Sequence, residues 1–233
     1  MWDARRKGDN RPSANRTLFN QDHGKPHEMA SSFQPLILGL GGTMRPGSSS
    51  EHALRAALAA AEAFGARTQL IDGSFLGRLP HYTPECTQRT QEELALVDAV
   101  LACDGIIIST PGYHGSLSGP IKNALDLIDE TARSARVYLE GRAFGAIVTA
   151  QGCQACGTTL VALRSIAHAL RAWPTPYGAT LSASSPLFDR ESGRCLDPNV
   201  DRQLAMVAEQ VVQFAHWRHA GLEVEHGSRA GAG

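Results

Sequence analysis

The stretch Gly105–Asp126, GIIISTPGYHGSLSGPIKNALD, constrains the fold more than any other part of the chain. It opens with an apolar, β-branched run that does not alternate, the pattern of a strand buried on both faces and so of a parallel sheet covered by helices. Its glycine- and serine-rich middle reads as a loop at the carboxyl end of that strand. Pro120 suits a first helical turn, where a missing N–H costs nothing, and Ser118 or Gly119 can cap ahead of it. Strand, loop and helix in this order put flexible backbone, with Tyr113, His114 and Ser116, in the crevice where open α/β sheets bind planar ligands.

A second unit of the same kind comes earlier. Leu36–Leu40 predicts the first strand and Gly41–Ser50, GGTMRPGSSS, its loop; Ala53, Leu54, Ala57, Leu58, Ala61 and Phe64 then fall at helical spacing. Backbone amides and a helix N-terminus meet there, which makes an anion site by geometry. From Gly42 to Ser49 the loop nearly fits a Walker A motif, but Ser48 stands where the lysine is required, so nucleotide hydrolysis loses its cation. Gly39-Leu-Gly-Gly-Thr-Met44 lacks the third glycine of a dinucleotide fingerprint. What remains is a hydroxyl-rich loop, Thr43, Ser48, Ser49 and Ser50, with Arg45 as its one fixed cation. That donor set suits the three oxygens of a phosphate monoester. The plain alternative is a turn that ends in a serine N-cap, which needs only one hydroxyl.

The other elements follow from the same periodicities. Arg67–Ile71 is the second strand, and Asp72-Gly73 after it is a turn or, less in keeping with the missing fingerprint, a ribose contact. Residues 74–89 are irregular, with Pro80, Tyr82 and Pro84 able to flank the pocket. A helix over Gln91–Cys103 turns Leu94, Val97, Val100 and Leu101 inward. The helix after the central loop runs to about Glu130. Ala143–Thr149 is a strand, Ala150–Gly157 a loop that carries Gln151 and Gly152, and Thr158–Ala172 a helix. The last strand is Tyr177–Ala183, and a loop to Asp197-Pro198 precedes a closing helix over Asn199–Ala220. Five parallel strands in the order 2-1-3-4-5 then bring the loops after strands one, three and four to one pocket.

Residues 34–220 make one domain. Positions 1–33 are polar and aperiodic, so an unstructured tail is expected there; Met29 would be a natural start of translation. Residues 221–233 are expected to form a flexible tail. With 42% hydrophobic residues the chain can bury one core, and its net charge of −1 offers no global basic field for nucleic acid. No apolar run reaches a membrane span and the amino end has no signal-peptide hydrophobic region, so a cytoplasmic protein is expected. The five cysteines read as reduced; Cys153-Gln-Ala-Cys156 is inert or redox-active, with no second CxxC to complete a metal site. His216 and His219, one turn apart, read as a solvated helix end. The serines of Gly115–Gly119 are out of register for a nucleophile elbow.

Residues 42–50 and 110–126 together resemble the two flavin-binding loops of the NAD(P)H-dependent FMN reductases of flavodoxin-like fold. The second loop is similar to that of members supplying reduced flavin to two-component monooxygenases. The resemblance covers about Gln34 to Leu187 and implies an α/β, flavodoxin-like three-layer sandwich. It implies FMN with NADH or NADPH as cofactors, hydride transfer from nicotinamide to flavin N5, and a flavin-dependent monooxygenase as partner. By position, Thr43, Arg45, Ser48, Ser49 and Ser50 would surround the FMN phosphate. Pro111, Gly112, Tyr113, His114, Gly115 and Ser116 would line the ribityl chain and ring, and Gln151 and Gly152 would approach the pyrimidine edge. Many members carry Glu at the place of Gly112 and Asn at that of His114. Lys122 and Asp126 match the family's helix pattern, for packing or for an interface.

Hydride transfer between stacked rings needs contact geometry, not a strong acid or base, in keeping with the missing triad. Tyr113 is a ring-stacking residue or a packing anchor. Two other readings stay open: an FMN-bound reductase of quinones, azo compounds, metal oxyanions or organoarsenicals, and a one-electron carrier, which near-neutral charge disfavours. The choice between NADH and NADPH is unreadable, since Arg45, Arg78, Arg89 and Arg133 cannot be placed near a 2′-phosphate from sequence. The resemblance implies a homodimer or homotetramer, and the sequence adds weaker support, since Leu125, Leu127 and Ile128 crowd more apolar surface onto one helix than a single core-facing stripe needs. That puts Tyr113–Asp129 near the interface.

Overall fold

A computed structural model describes residues 33–230. The tail expected at the amino end lies outside the described residues, apart from Phe33. The chain runs β1 (Leu36–Gly41), α1 (Ser49–Ala63), β2 (Arg67–Ile71), a short α2 (Gly73–Leu76), α3 (Gln91–Ala102), β3 (Gly105–Pro111) and α4 (Gly119–Leu127). It continues through a 3-10 turn (Ile128–Thr131), β4 (Ala143–Ala150), α5 (Cys153–Ala169), β5 (Trp173–Pro174), β6 (Ala179–Ser182) and α6 (Pro198–Ala230).

The six strands named here pair in parallel, in the order β2-β1-β3-β4-β5 with β6 also on β4. This is the flavodoxin-like arrangement that the buried runs imply. β3 and β4 are buried along their whole length, so both faces must be covered. Ile37 and Ile107 face a core shared with Leu54, Leu58, Val207 and Val211 of α1 and α6. Leu38, Leu40, Ile106 and Ile108 point the other way, to Val100, Ile121 and Leu163 of α3, α4 and α5.

Several expectations need correction. The fifth strand is two pieces, because Pro174 and Pro176 have no N–H to donate and edge strands tolerate that; Thr175 bridges the gap through its N–H and hydroxyl to Phe144 O. α5 begins at Cys153, so most of the expected 150–157 loop is helix. Leu94 of α3 is exposed, and Leu96 and Ala99 face the core instead; Phe64 is an exposed helix cap. α6 continues past Ala220 through a stretch without proline, where His219 and Glu223 pair one turn apart at 3.4 Å. Phe33 is not part of a loose tail: it stacks on His219 at 3.8 Å and meets His216 edge-on, so those histidines are not a bare solvated end. Leu125, Leu127 and Ile128 are each 2% exposed or less within one chain. Their apolar surface is spent in the chain's own core, and the interface argument built on them fails.

Arg142, just ahead of β4, is fully buried and has no carboxylate partner among the described residues. Its Nε donates to Cys103 O at 2.9 Å, Nη1 to Tyr138 O at 2.8 Å and Nη2 to Leu101 O at 3.1 Å. Two of these carbonyls close the end of α3, where unsatisfied C=O groups favour a cation. Burial lowers the pKa of the guanidinium from its usual value. Arg142→Leu should therefore lower stability by about 3 kcal/mol or more, since charged hydrogen bonds are lost and three carbonyls are left without donors. Urea denaturation checks this, with an unchanged midpoint as the contrary outcome.

Candidate functional site

Three loops meet at the carboxyl edge of the sheet. The first leaves β1 and enters α1. Ser48 caps that helix by accepting from Glu51 N at 3.3 Å, and the Ser50 hydroxyl lies 3.3 Å from its oxygen. Thr43 fixes the bend through its hydroxyl, which accepts from Arg45 N at 3.2 Å and donates to Arg45 O at 3.1 Å. Glu51 accepts from Gly47 N at 3.0 Å and is itself held by Arg55. Local bonds thus shape the loop and leave the first-turn amides of Ser49 and Ser50 without intrahelical partners. The Arg45 side chain is exposed and forms no ion pair among the described residues.

The second loop leaves β3. Tyr113 N donates to Ser116 O at 2.9 Å and Ser116 N to Tyr113 O at 3.1 Å, closing a two-residue turn in which His114 has φ 50 and Gly115 φ 83. Positive φ at both central positions defines a type I′ turn, and glycine there avoids the cost a side chain meets. Thr110 accepts from Ser118 N at 3.1 Å, which fixes where α4 starts. The third loop is short: β4 ends at Ala150, and Gln151 and Gly152 lead directly into α5.

These loops enclose a cleft of about 460 Å³. It is lined by Thr43, Arg45, Ser48, Ser49 and Ser50 of the first loop, by Pro111, Gly112, Tyr113 and His114 of the second, and by Gln151 and Gly152 of the third. Gly115 and Ser116, expected in the same wall, form the back of the turn and do not line the cleft. Thr149, Ala150, Ala155 and Ala183 also line it and escaped sequence reading. Thr149 and Ala150 had one available signal, their place at the carboxyl end of β4. No carboxylate lines the cleft.

Other candidates lie elsewhere. Tyr82, with Asn123 and Asp129 as partners, turns away from the cleft, and Pro80 and Pro84 do not line it either. Asp72 accepts from Phe75 N at 2.9 Å and so caps α2, the turn reading of that residue. Lys122 and Asp126 pair with each other on the exposed face of α4. Arg89 is held by Glu93 and Glu130 and stacks over Tyr82, and Arg78 lies over Phe75. Cys153 is exposed, whereas Cys156 is buried with its thiol toward Leu181 O and its pKa raised by burial; the five cysteines are free thiols. No group of three or more potential metal ligands occurs among the described residues, and none of the described helices is long and apolar enough to cross a membrane.

A parallel sheet in this strand order, covered on both faces and with three loops meeting at its carboxyl edge, defines the flavodoxin-like class of α/β proteins. The family model for NADPH-dependent FMN reductase matches residues 35–185, and the chain belongs to that family. An NAD(P)H-dependent FAD/FMN reductase of Geobacillus thermodenitrificans is 29% identical over 122 residues, 52% of this chain and 60% of that protein. An NADPH azoreductase of a Bacillus species is 41% identical over 54 residues, 23% of this chain and 30% of that protein. The chain thus matches 60% and 30% of the lengths of these relatives. The solved structure of an oxidoreductase from Corynebacterium diphtheriae shares the fold, with TM-score 0.61 and 20% identity over 78% of this chain and 97% of that one.

The cleft floor is tightly packed. A Cβ on Gly112 would lie 3.0 Å from Thr159 Oγ1 and 3.2 Å from both Ala150 Cβ and Ala155 O. Gly112→Ala should cost about 1 to 3 kcal/mol through overpacking. His114→Asn should stay within about 0.5 kcal/mol of the parent, because asparagine tolerates the left-handed region and favours this turn position. Thermal unfolding of both variants checks the contrast; equal shifts would contradict it.

Proposed function

We propose that the chain is an NAD(P)H-dependent FMN reductase that holds FMN in the three-loop cleft. The observation that carries this reading is the convergence of free donors without a carboxylate. The Ser49 and Ser50 amides, the serine hydroxyls and the unpaired Arg45 guanidinium suit a phosphate monoester at the helix N-terminus. Bound FMN supplies the chemistry that exchanges a hydride with a nicotinamide. The chain's part is to anchor and orient. The first loop fixes the phosphate end, Gly112 leaves a flat wall for a ring, and Tyr113, 55% exposed, stands at the rim for stacking. No general acid or base is required of the cleft, and its preorganised N–H groups favour added negative charge.

Transfer of reduced flavin to a monooxygenase is the destination we favour, on the likeness of residues 110–126 to such suppliers. A second reading, direct reduction of a flat aromatic such as an azo compound, is favoured by a neighbouring cleft of about 410 Å³ lined by Met44, Tyr113 and Pro120. With Met44 65% exposed, this rim is also the surface we assign to a second subunit of a homodimer or homotetramer.

The purified protein should bind FMN and oxidise NADH or NADPH with it, read by flavin absorbance and nicotinamide titration. Arg45→Ala should weaken FMN binding by about 1.5–3 kcal/mol and leave thermal unfolding unchanged. Undiminished flavin affinity would remove Arg45 from the phosphate site.

A further inference from the structure

A second cleft, of about 710 Å³, opens beside the first and shares Arg45, Ser49, Gln151 and Ala183 with it. Its far wall comes from a segment the sequence marks only as a loop. Leu187–Leu196 is a hairpin: Leu196 N donates to Leu187 O at 2.9 Å, Asp189 N to Arg194 O at 2.9 Å, and Phe188 and Cys195 form a bridge.

His52 of α1 joins this hairpin to the phosphate loop. A Cβ on Gly193 would stand 2.8 Å from its Nδ1 and one on Gly47 3.6 Å from its Nε2, while the Phe188 ring centroid lies 5.7 Å away. The Nε2 atom is buried without a partner. The wall therefore holds an unspent polar group, which native structures seldom leave unexplained. Arg190, on the hairpin, is exposed and makes no ion pair among the described residues.

Arg45 and Arg190 bring positive charge to the cleft, and no carboxylate lines it. The acids flanking Arg190 are committed elsewhere. Asp189 accepts from Ser192 N at 2.8 Å and its hydroxyl at 2.7 Å, and Glu191 lines a different cleft, together with Arg55 and Arg194. In a chain of net charge −1 this is a local field for an anion; with Arg45 engaged by the flavin phosphate, Arg190 is the guanidinium left for a second one, and its planar fork matches the oxygens of a phosphate monoester.

We propose that this cleft binds the 2′-phosphate end of NADPH, with Arg190 as the residue that selects NADPH over NADH. The proposal rests on the reductase reading above, because the shared wall lets a dinucleotide whose nicotinamide lies over the first cleft run on into the second. Arg190 belongs to no part of the flavin cleft and, being exposed, can be replaced without unfolding the chain.

The test is calorimetric titration of 2′,5′-ADP, 5′-ADP and FMN into the parent and Arg190→Ala proteins. The parent should bind 2′,5′-ADP more tightly than 5′-ADP. Arg190→Ala should lose about tenfold or more in 2′,5′-ADP affinity while FMN and 5′-ADP are unchanged, and the ratio of kcat/KM for NADPH over NADH should fall by a similar factor. Equal binding of 2′,5′-ADP to both proteins would overturn the assignment. So would a loss confined to FMN, which would make the cleft part of the flavin's own phosphate site. Failure of the parent to bind FMN would sink the reductase reading, a separate result from loss of the 2′-phosphate preference.

Discussion

The side chain of Ser109 holds the two halves of the site together. Fully buried on β3, it donates to Ser50 O at 2.7 Å, and so ties the central strand to the first turn of α1. Its own carbonyl accepts from Gly42 N at 3.2 Å and occupies the place a side chain on the neighbouring strand would need: a Cβ on Gly41 would lie 2.3 Å away. Glycine at 41 thus lets β1 and β3 close at their carboxyl ends. One residue on, Thr110 fixes the start of α4 through Ser118. Two adjacent hydroxyls on one strand therefore register both flanking loops, and the distance across the cleft is inherited from the sheet.

This division of labour also sorts the arginines. Arg55 is absorbed by Glu51, Arg89 by Glu93 and Glu130, and Arg142 by three carbonyls; each supports the shape of a segment. Arg45 and Arg190 have no such partner among the described residues, and both line the clefts at the carboxyl edge. A buried charge is tolerated only where its hydrogen bonds are met within the protein. An exposed and unpaired one beside a cleft that lacks acids keeps its capacity for a ligand. Net charge conceals this difference, since −1 averages over both kinds.

What the sequence disclosed follows the strength of each local signal. β3 and β4 were legible because unalternated apolar runs have one explanation in a chain of this size, and the cleft residues because loops after such strands share an edge. Arg67–Ile71 matches the structure at both ends. The start of α5 was hidden, because its cap is Gly152, which offers no side-chain oxygen, and Gly157 inside the helix mimics a loop. The 187–196 hairpin was hidden for another reason. Main-chain bonds and the packing of His52 against Gly193 hold it, and neither leaves a periodicity. Leu125, Leu127 and Ile128 show the limit of amphipathic reasoning, since an apolar excess on a helix does not say whether its own core or a second copy covers it.

Gly112 joins these threads at the floor of the cleft. The first turns of α5 and the end of β4 press against the second loop, so that Thr159, Ala155 and Ala150 occupy the volume a β-carbon would take. Thr158 lies close to the turn as well, 3.5 Å from where a Cβ on Gly115 would stand. A larger residue at 112 would have to move the helix or the loop, and the loop is held by Thr110 and by the Tyr113–Ser116 bonds. Small residues at 112, 150 and 155 are therefore one structural choice made in three places. They bring α5 close enough for its first turn, with Gln151 and Gly152 ahead of it, to serve as the third wall of the cleft.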